Sequence, residues 1–385
     1  MPQIDVTVGF SGAALSAHWE DLAARATPNV FAHPAALDAV AASRFAKLRL
    51  LLAWDRSVAP ERLVGLWALQ EKAVAPFLPA ILAAPAYDFA FLSCPVVDPA
   101  YAEDVIVAFF DAIRADPGLP NVIRINYLDG EGEAYAAMAR ALAAVGGQPL
   151  TLSERGRPFA CRESGQKLSG STRKKLRQDW NRLCAQGTVD IVDAQAPTAL
   201  RDAFEVFLAM EAKGWKGKRG TSLLSCEQDA AFVRQLLAKL GGQKAASVAM
   251  LRLDGQPIAA QVLLYCGRRA YTWKTAFDED YGRYSPGALL VDRLTEQLLA
   301  RADIDTIDSC SPEGGFMTQL WAGRRTTIDL LVTVEPRRSP SFVLAAMVER
   351  GYRQLKRQHD SLRALSWGTL AGRATSRPKA AAATP

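Results

Sequence analysis

The chain has 385 residues, of which 49% are hydrophobic and 22% charged, and its formal net charge is +6. This composition is typical of a globular protein with two or three domains, and it excludes a disordered or fibrous chain. The charge suits an anionic ligand, but it is too small for this length to indicate a DNA-binding protein.

Six cysteines lie far apart in the chain, without a C-x-x-C pair or the spacing of a zinc site. We therefore expect buried free thiols and no metal. The first residues lack a basic segment followed by an apolar one, and no apolar run approaches the length of a membrane span. These features predict a cytoplasmic protein without a signal peptide or a transmembrane segment.

The first half of the chain mixes helical patterns with hairpin strands. Helices are predicted at residues 13–25, from Pro34, from Asp98-Pro99 to 115 and at 131–145, and strands at 48–54, 63–69 and 121–127. The apolar, proline-rich stretch 75–85 is predicted to be a loop packed on the core.

The second half repeats this order of elements. After a strand and a polar loop at 148–165, helices are predicted at 171–183, 197–213, 228–240, 286–302 and 313–321, and strands at 188–192, 246–253, 257–265, 271–276, 304–308 and 326–334. We therefore predict two similar α/β domains with a mixed sheet, at residues 1–160 and 161–335. A basic amphipathic helix is expected at 336–366 and a disordered tail at 367–385.

The helix predicted from Ser171 has an apolar face, formed by Leu176, Trp180 and Leu183 at i, i+4 and i+7. Its opposite face carries five basic residues, which are Arg173, Lys174, Lys175, Arg177 and Arg182. This basic face is either a solvated surface or a contact for phosphates or an acidic partner.

Residues 271–290, YTWKTAFDEDYGRYSPGALL, combine a strand, a charged turn and a helix start. Ser285 is a favoured N-cap residue and Pro286 suits the first helical position. Free N–H groups at a helix N-terminus attract phosphate. The matching helix of the first half begins at Asp98, whose carboxylate would repel a phosphate. We therefore expect the active site in the second half, with the first half structural or helping to hold the acceptor.

Three segments resemble the GNAT acyltransferase superfamily, namely GWKG at 214–217, LDGQPIAA at 253–260 and the stretch 271–290. With Asp308 and Trp321, they are similar to the tandem-GNAT branch of cellulose and exopolysaccharide biosynthesis acetyltransferases (CelD type), a relative of the Fem aminoacyl transferases. The resemblance covers about residues 168–334, and the first half matches loosely. It implies a tandem GNAT-like acyl-CoA N-acyltransferase fold, with acetyl-CoA as the donor and an amine as the acceptor.

The GNAT phosphate loop reads Gln/Arg-x-x-Gly-x-Gly/Ala, and the aligned run here is RYSPGA at 283–288. Arg283 and Ala288 fit this pattern, whereas Pro286 replaces a glycine whose N–H would point at phosphate. The resemblance thus assigns donor binding to Arg283, Ser285, Gly287 and Ala288, with free N–H groups on the last two.

Acyl transfer to an amine needs a polarised carbonyl, a proton acceptor and often an acid for the leaving group. Asp278 and Asp308 are candidate proton acceptors or ligands of the acceptor amine, and Tyr281 and Tyr284 are candidate acids. Alternatively, Asp278 stabilises its own turn and the tyrosine rings only pack.

Trp215, Lys216, Trp273 and Lys274 are candidate acceptor-binding residues. Trp215 and Lys216 lie between glycines in a predicted loop, either as a mobile lid with an aromatic plate for a sugar or peptide or as a plug at the loop base. Trp273 and Lys274 alternate on a strand, so one of them is expected to face the cleft. Lys274 then either binds an anion or faces solvent.

Three functions remain open at this point. The first is an N-acetyltransferase acting on a small molecule, glycan or peptide of polysaccharide or cell-envelope metabolism. The second is a Fem-like aminoacyl or peptidyl transferase that docks an aminoacyl-tRNA or a nucleotide-linked precursor on the basic face of the 171–183 helix. The third is a non-catalytic binding protein of a polysaccharide synthase complex, docked through the helix at 341–365.

Overall fold

The computed structural model of the protein describes residues 3–9, 12–73, 78–147, 149–163, 170–337 and 339–355. The predicted tail at 367–385, and the part of the predicted C-terminal helix beyond residue 355, lie outside these ranges.

The strands of the described residues are numbered in chain order. They are β1 Ile4–Val8, β2 Leu48–Asp55, β3 Arg62–Ala73, β4 Ala80–Ala84, β5 Val96–Val97, β6 Val122–Asp129, β7 Leu150–Cys161, β8 Val189–Ala194, β9 Ala246–Leu253, β10 Gln256–Cys266, β11 Arg269–Phe277, β12 Thr306–Asp308 and β13 Gly323–Thr333.

The helices are numbered in the same way. They are α1 Gly12–Arg25, α2 Pro34–Ser43, α3 Ala102–Ala115, α4 Glu133–Ala144, α5 Ser171–Cys184, α6 Pro197–Lys213, α7 Trp215–Lys218, α8 Glu227–Gly242, α9 Pro286–Ala300, α10 Phe316–Leu320 and α11 at residues 340–355. Short 3₁₀ helices at Pro99–Tyr101 and Glu279–Tyr284 precede α3 and α9.

The strands form one mixed sheet in the order β1-β2-β3-β4-β6-β13-β7-β12-β11-β10-β9-β8, with β5 beside β3. Two neighbouring pairs are parallel, β4 with β6 and β11 with β12, and the others are antiparallel. The predicted mixed α/β architecture is therefore confirmed.

The order of strands matches itself when it is read from either end of the sheet. β3 of the first half takes the place of β10 in the second, β4 that of β11, and β6 that of β12. The predicted repeat of elements is thus confirmed. Two strands are exchanged between the halves: β7 of the first half pairs with β12 of the second, and β13 of the second half pairs with β6 of the first. The domain boundary at residues 160/161, which falls inside β7, stays a prediction.

Two arginine–aspartate pairs, buried except for the partly exposed Arg325, lie where the exchanged strands meet. Asp129 at the end of β6 lies 3.4 Å from Arg325 of β13, and Asp308 at the end of β12 lies 3.5 Å from Arg157 of β7. Arg325 and Arg157 are direct partners in the β13–β7 register, and Arg325 also lies 3.9 Å from Asp308. The four side chains therefore form one charge cluster, called here the central quartet.

The two aspartates of the quartet have the same local structure. The Oδ1 of Asp129 accepts from the N–H of Glu131 at 3.1 Å, and the Oδ1 of Asp308 accepts from the N–H of Cys310 at 2.7 Å. Each carboxylate thus closes a turn two residues on and pairs with an arginine from an exchanged strand. This match shows the repeat at the level of single residues, which the negligible identity between the halves had hidden.

The cores of the two halves are continuous on one side of the sheet. Phe45 of the first half stacks on Phe232 of α8 with ring centroids 4.0 Å apart, and Phe31 meets Tyr271 of β11 edge-on at 5.9 Å. A second core lies under α5 and α9. The predicted apolar face of α5 packs there, with Leu176 and Leu183 buried and Trp180 partly buried. A third cluster lies under α11.

Some expectations for the fold were wrong. The proline-rich stretch 75–85 contains strand β4, because residues 81–84 are buried between two neighbouring strands and flanked by Pro79 and Pro85. Not all thiols are buried, since Cys184 and Cys226 are exposed. Among the described residues, no helix is both long and apolar enough to cross a bilayer.

The central quartet can be tested by Arg157→Met, which removes one guanidinium and leaves Asp308 poorly compensated. We expect unfolding free energy, measured with urea, to fall by about 3–5 kcal/mol, because a buried charge that loses its partner is costly. Arg201→Met, in an exposed pair with Asp202 on α6, is the control and should cost less than about 1 kcal/mol. Equal losses for both variants would contradict the role given to the quartet.

Candidate functional site

Strands β11 and β12 are neighbours inside the sheet, but they part from each other along β11. They pair only over residues 269–271 and 306–308, although β11 continues to Phe277. Among the described residues, positions 272–277 thus have no strand partner on the β12 side. The strands open a gap in the sheet there, and the N-terminus of α9 follows eight residues after β11 ends, at Ser285-Pro286.

The start of α9 differs from the capped helix that the sequence predicts. Ser285 stands at the N-cap position, but its backbone is left-handed (φ 53°, ψ 47°) and its side chain makes no cap hydrogen bond. Its carbonyl instead accepts from the N–H groups of Ala288 and Leu289, both at 3.0 Å. Since Pro286 has no N–H, Gly287 carries the N–H of the first turn that has no acceptor among the described residues. The expectation of a second free N–H, on Ala288, was wrong.

The side chain of Ser285 is held by α5. Its Oγ accepts from Nζ of Lys175 at 2.7 Å and donates to Asp179 at 3.1 Å. Asp179 is buried and also pairs with Lys175 and Arg182. The basic face of α5 therefore places Lys175 at the N-terminus of α9.

A cleft of about 520 Å³ opens between α5, α7, β11 and the start of α9. This α9 cleft is lined by Thr172, Lys175, Leu176, Trp215, Lys216, Thr275, Phe277, Gly282, Ser285, Pro286, Gly287, Ala288, Phe316, Gln319 and Leu320. It joins an apolar wall to one free backbone N–H and two lysines. Such a lining suits a long ligand with an apolar part and an anionic part.

A second groove of about 480 Å³ lies on the other side of α5, against α9. Arg173, Lys174, Arg177 and Arg293 line it, with Asp292 and Glu296 as its acids. Arg173 pairs with both acids, and Arg293 lies over the Trp180 ring and bonds Glu296 at 3.1 Å. The exposed Lys174 and Arg177 add two cations, so this α5–α9 groove is positively charged.

Trp273 and Lys274 do not alternate as predicted. The register between β10 and β11 shifts at Val262/Leu263, which leaves Trp273 as an extra residue in the strand. Both side chains then approach Phe89 of the first half. The Trp273 indole donates to the Phe89 carbonyl at 2.9 Å, and Nζ of Lys274 lies 5.1 Å from the Phe89 ring. Trp273 thus joins the two halves instead of facing the cleft alone.

Lys274 is a partly buried lysine without an ion pair among the described residues. Its Nζ lies 5.1 Å from the Phe89 ring and 5.3 Å from the Trp273 ring. Burial lowers the pKa of Lys274 from 10.5 to about 8, which the negative charge of Glu211 offsets only in part. A lysine in this state exchanges a proton near physiological pH.

Trp215 and Lys216 both line the α9 cleft, but in a short helix, α7, and not in the predicted loop. Trp215 is 47% exposed, with Arg219 5.1 Å above its ring. Lys216 bonds the buried Glu211 at 2.7 Å, and Glu211 also accepts from the N–H of Leu223 at 2.8 Å. The ring is thus exposed at the mouth of the cleft, and its role as an aromatic plate stays a prediction.

Asp278 caps the 3₁₀ turn before α9 by accepting from the N–H of Asp280 at 3.1 Å. Burial alone would raise the pKa of Asp278, but this N–H and the Lys213 ammonium at 3.1 Å outweigh burial and lower the pKa. A carboxylate in these bonds is a weak base, so the geometry favours the turn-stabilising alternative.

Trp273, Lys274, Asp278 and the remaining candidates lie outside the lining of the α9 cleft. Tyr284 is buried with Arg182 and Arg283 over its ring, and Tyr281 packs on the same core. These contacts favour the packing alternative for both tyrosines. The Arg283 guanidinium lies over the Tyr284 ring. Asp308 is buried in the central quartet.

In the first half, the helix start that corresponds to Ser285-Pro286 is Asp98-Pro99, and side chains of the first half occupy it. Asp98 accepts from the N–H of Ala100 at 3.1 Å and pairs with Arg25 of α1. The Asp98 carboxylate at this helix start is therefore already compensated by the charge of Arg25.

Sequence reasoning missed Asp179 and Glu211, the two buried carboxylates that hold Lys175 and Lys216. The i, i+4 spacing of Lys175 and Asp179 was a signal that could have found the first pair. No local signal marks Glu211, because only its burial distinguishes it from other helix carboxylates.

Comparison with known proteins supports the family resemblance. Residues 170–314 match the model of the acetyltransferase (GNAT) domain. No curated protein matches the chain.

The fold is similar to those of several solved structures. They include FemX (11% identity, TM-score 0.58, covering 84% of this chain and 96% of that one) and the C-terminal domain of a putative lysylphosphatidylglycerol synthetase from Agrobacterium fabrum (15%, 0.54, 88% and 96%). A conserved protein of unknown function from Bacteroides thetaiotaomicron is also similar (9%, 0.52, 86% and 100%). At these identities the likeness concerns the fold. Residues 170–314 thus match a GNAT acetyltransferase domain, and this match supports acyltransferase activity.

Proposed function

We propose that the protein transfers an acyl group from acetyl-CoA to an amine. The observation that carries this proposal is the α9 cleft, which meets an unpaired strand edge and a helix N-terminus at the place where β11 and β12 part. These are the elements that acyl transfer from a long anionic donor requires.

The residues of the cleft fit such a donor. The N–H of Gly287 can bond its phosphates, and so can the remaining N–H donors of Lys175 and Lys216, whose charges are already paired with Asp179 and Glu211. The free edge of β11 can bond an amide-bearing chain as an added strand. When bound, acetyl-CoA supplies a thioester acyl group. Backbone N–H groups of the same edge would polarise its carbonyl.

Lys274 is our candidate for the proton acceptor. It lies on β11 within the unpaired segment, beside the aromatic rings of Phe89 and Trp273 and outside the lining of the α9 cleft. With a pKa of about 8, a fraction of its side chain is neutral at physiological pH and can take a proton from an acceptor ammonium. Asp278 and Asp308 fit this role less well, because both carboxylates are already bonded.

For the acceptor, we propose an amine-bearing small molecule, glycan or peptide of polysaccharide or cell-envelope metabolism, in contact with its synthesis complex. The family resemblance of the sequence supports this class. The exposed Trp215 ring at the cleft mouth suits stacking of a sugar or peptide.

A second candidate function is aminoacyl transfer of the Fem type. The α5–α9 groove favours it, because Lys174 and Arg177 extend the positive surface beyond the α9 cleft. A nucleic-acid donor would need this wider surface, whereas acetyl-CoA would not.

Binding of the donor can be measured by calorimetry with acetyl-CoA. We expect micromolar binding, which Gly287→Glu should weaken by more than roughly tenfold because a carboxylate would face the phosphates. Gly287→Ala should bind nearly normally, since an added Cβ would lie 3.4 Å from Thr275 and Phe277. Gly242→Glu, at an exposed glycine with open space around it, controls for charge.

If the wild-type protein does not bind acetyl-CoA but binds an aminoacyl-tRNA, the acetyl-CoA proposal is overturned. It would establish the second candidate, provided that the tRNA affinity falls when Lys174 and Arg177 are changed to Gln.

The role of Lys274 predicts a pH profile. We expect kcat/KM to rise with pH through about 8, where Lys274 loses its proton. Lys274→Arg should lower activity by roughly 10²–10⁴, because a guanidinium keeps its proton. If Lys274 instead binds an anion, Lys274→Arg will retain activity and the profile will not follow this group.

Replacing Lys274 by an apolar residue is expected to stabilise the protein. The folded pKa of about 8 lies below the unfolded value of 10.5, so protonated Lys274 opposes folding at pH 7, and the cost disappears as pH rises to 10.5. Lys274→Met should therefore raise the unfolding free energy by roughly 3 kcal/mol at pH 7 and by almost nothing above pH 10.5. Lys72→Met, at an exposed lysine, should show no such pH dependence. Urea unfolding at both pH values measures this.

A further inference from the structure

Helix α11, at residues 340–355, is attached to the body of the protein by one side. Phe342, Ala345 and Ala346 are buried there against Ile81, Val122 and Leu331. Glu349, which is also buried, pairs with Arg124 at 2.6 Å and with Arg353 at 3.5 Å. The inner side of α11 is therefore fully used in packing.

The outer side of α11 is apolar as well. Met347, Tyr352 and Leu355 are 62%, 59% and 67% exposed, and Val343 is 40% exposed. Residues 344, 347, 348, 351, 352 and 355 follow the i, i+3, i+4, i+7, i+8, i+11 spacing, and they read Leu, Met, Val, Gly, Tyr and Leu. Met347 and Leu355 of this outer stripe face away from the core, whereas Val348 and Tyr352 line a groove of about 370 Å³ between α11 and strands β3 and β4. A surface helix of a water-exposed protein normally carries polar residues on that side.

The formal net charge of the chain comes entirely from residues 349–385. Residues 349–385 contain eight basic residues, namely Arg350, Arg353, Lys356, Arg357, Arg363, Arg373, Arg377 and Lys379. Their acids are Glu349 and Asp360. Taking these from the totals of 46 basic and 40 acidic residues leaves 38 of each, so residues 1–348 have a formal charge of zero.

We propose that the outer stripe of α11 docks on an anionic lipid bilayer surface, with the basic residues beside and after it pairing with lipid headgroups. An apolar helix face flanked by lysine and arginine is the pattern that binds at such an interface. In the sequence that follows, Leu362, Leu365 and Trp367 continue the mixture of apolar and basic residues.

Two other occupants fit the same features less well. A nucleic acid would use the basic residues but would gain nothing from Met347 or Leu355. A second copy of the chain would cover the stripe, but it would bring two segments of net positive charge together. An anionic bilayer matches both the apolar stripe and the charge.

The test is co-sedimentation of the full-length protein with vesicles. We expect binding to phosphatidylcholine vesicles that contain phosphatidylglycerol, weaker binding to phosphatidylcholine alone, and a decrease with added salt. Met347→Gln with Leu355→Gln should lower the partition coefficient by roughly a hundredfold. Val206→Gln with Leu224→Gln, two apolar residues elsewhere that are 36% and 40% exposed, should leave it unchanged.

The charge part of the proposal has its own variant. Lys356→Gln with Arg357→Gln should lower binding to the anionic vesicles by roughly tenfold or more and reduce its salt dependence. Circular dichroism and acetyl-CoA binding of each variant establish that the fold is intact.

Several results would overturn the proposal. They are no binding to anionic vesicles, equal binding to neutral ones, or binding that survives the Met347/Leu355 change. Binding to an RNA oligonucleotide but not to vesicles would assign the charge to nucleic acid. A dimer in sedimentation velocity that the same change dissociates, without vesicle binding, would assign the stripe to a second copy.

Discussion

The central quartet ties together the two halves of the sheet. Its arginines come from the exchanged strands β7 and β13, and its aspartates end the strands that those two strands flank. Buried charges of this kind add little net stability, but they are costly when the register is wrong. A shift of either strand by one residue would turn an arginine to the other face of the sheet and leave an aspartate without its partner. The quartet thus fixes the register in the middle of the sheet, and the parting of β11 and β12 follows from where Asp308 is held.

The two halves share one framework and differ in what occupies the start of the matching helix. In the first half, Asp98 and Arg25 neutralise each other at that point. In the second half, Ser285 takes a left-handed backbone and leaves the N–H of Gly287 open, with Lys175 beside it. The same fold therefore gives one helix start that is satisfied from within and one that remains available to a ligand. This difference in polar groups, on a common backbone, is the reason we propose the active site in the second half.

Much of the secondary structure could be predicted because its signals are local. Proline at the first helical position marked α6 and α9, and the Asp-Gly turn marked the hairpin of β9 and β10. What sequence could not reveal depends on distant partners. Strand β4 lacks alternation because it is buried on both faces, and the β7–β13 exchange joins residues some 170 positions apart in the chain.

The site shows the same limit. The position of the helix start at Ser285 followed from sequence, since proline at the first helical position is a local signal, but the left-handed backbone of Ser285 did not. The orientation of Lys274 did not, because a bulge set by the neighbouring strand removed the alternation on which the prediction rested. Glu211 was missed because burial alone distinguishes it from a surface carboxylate.

The exchange of strands also affects how the protein can be made. Strand β6 of the first half has β13 as its inner neighbour, and β13 ends at Thr333. During synthesis, the first half therefore lacks that neighbour until residues 323–333 have left the ribosome, although domains usually fold as they emerge. The N-terminal half must wait with an open strand edge, and neither half can be lost or copied separately in evolution without exposing the edge that the other one covers.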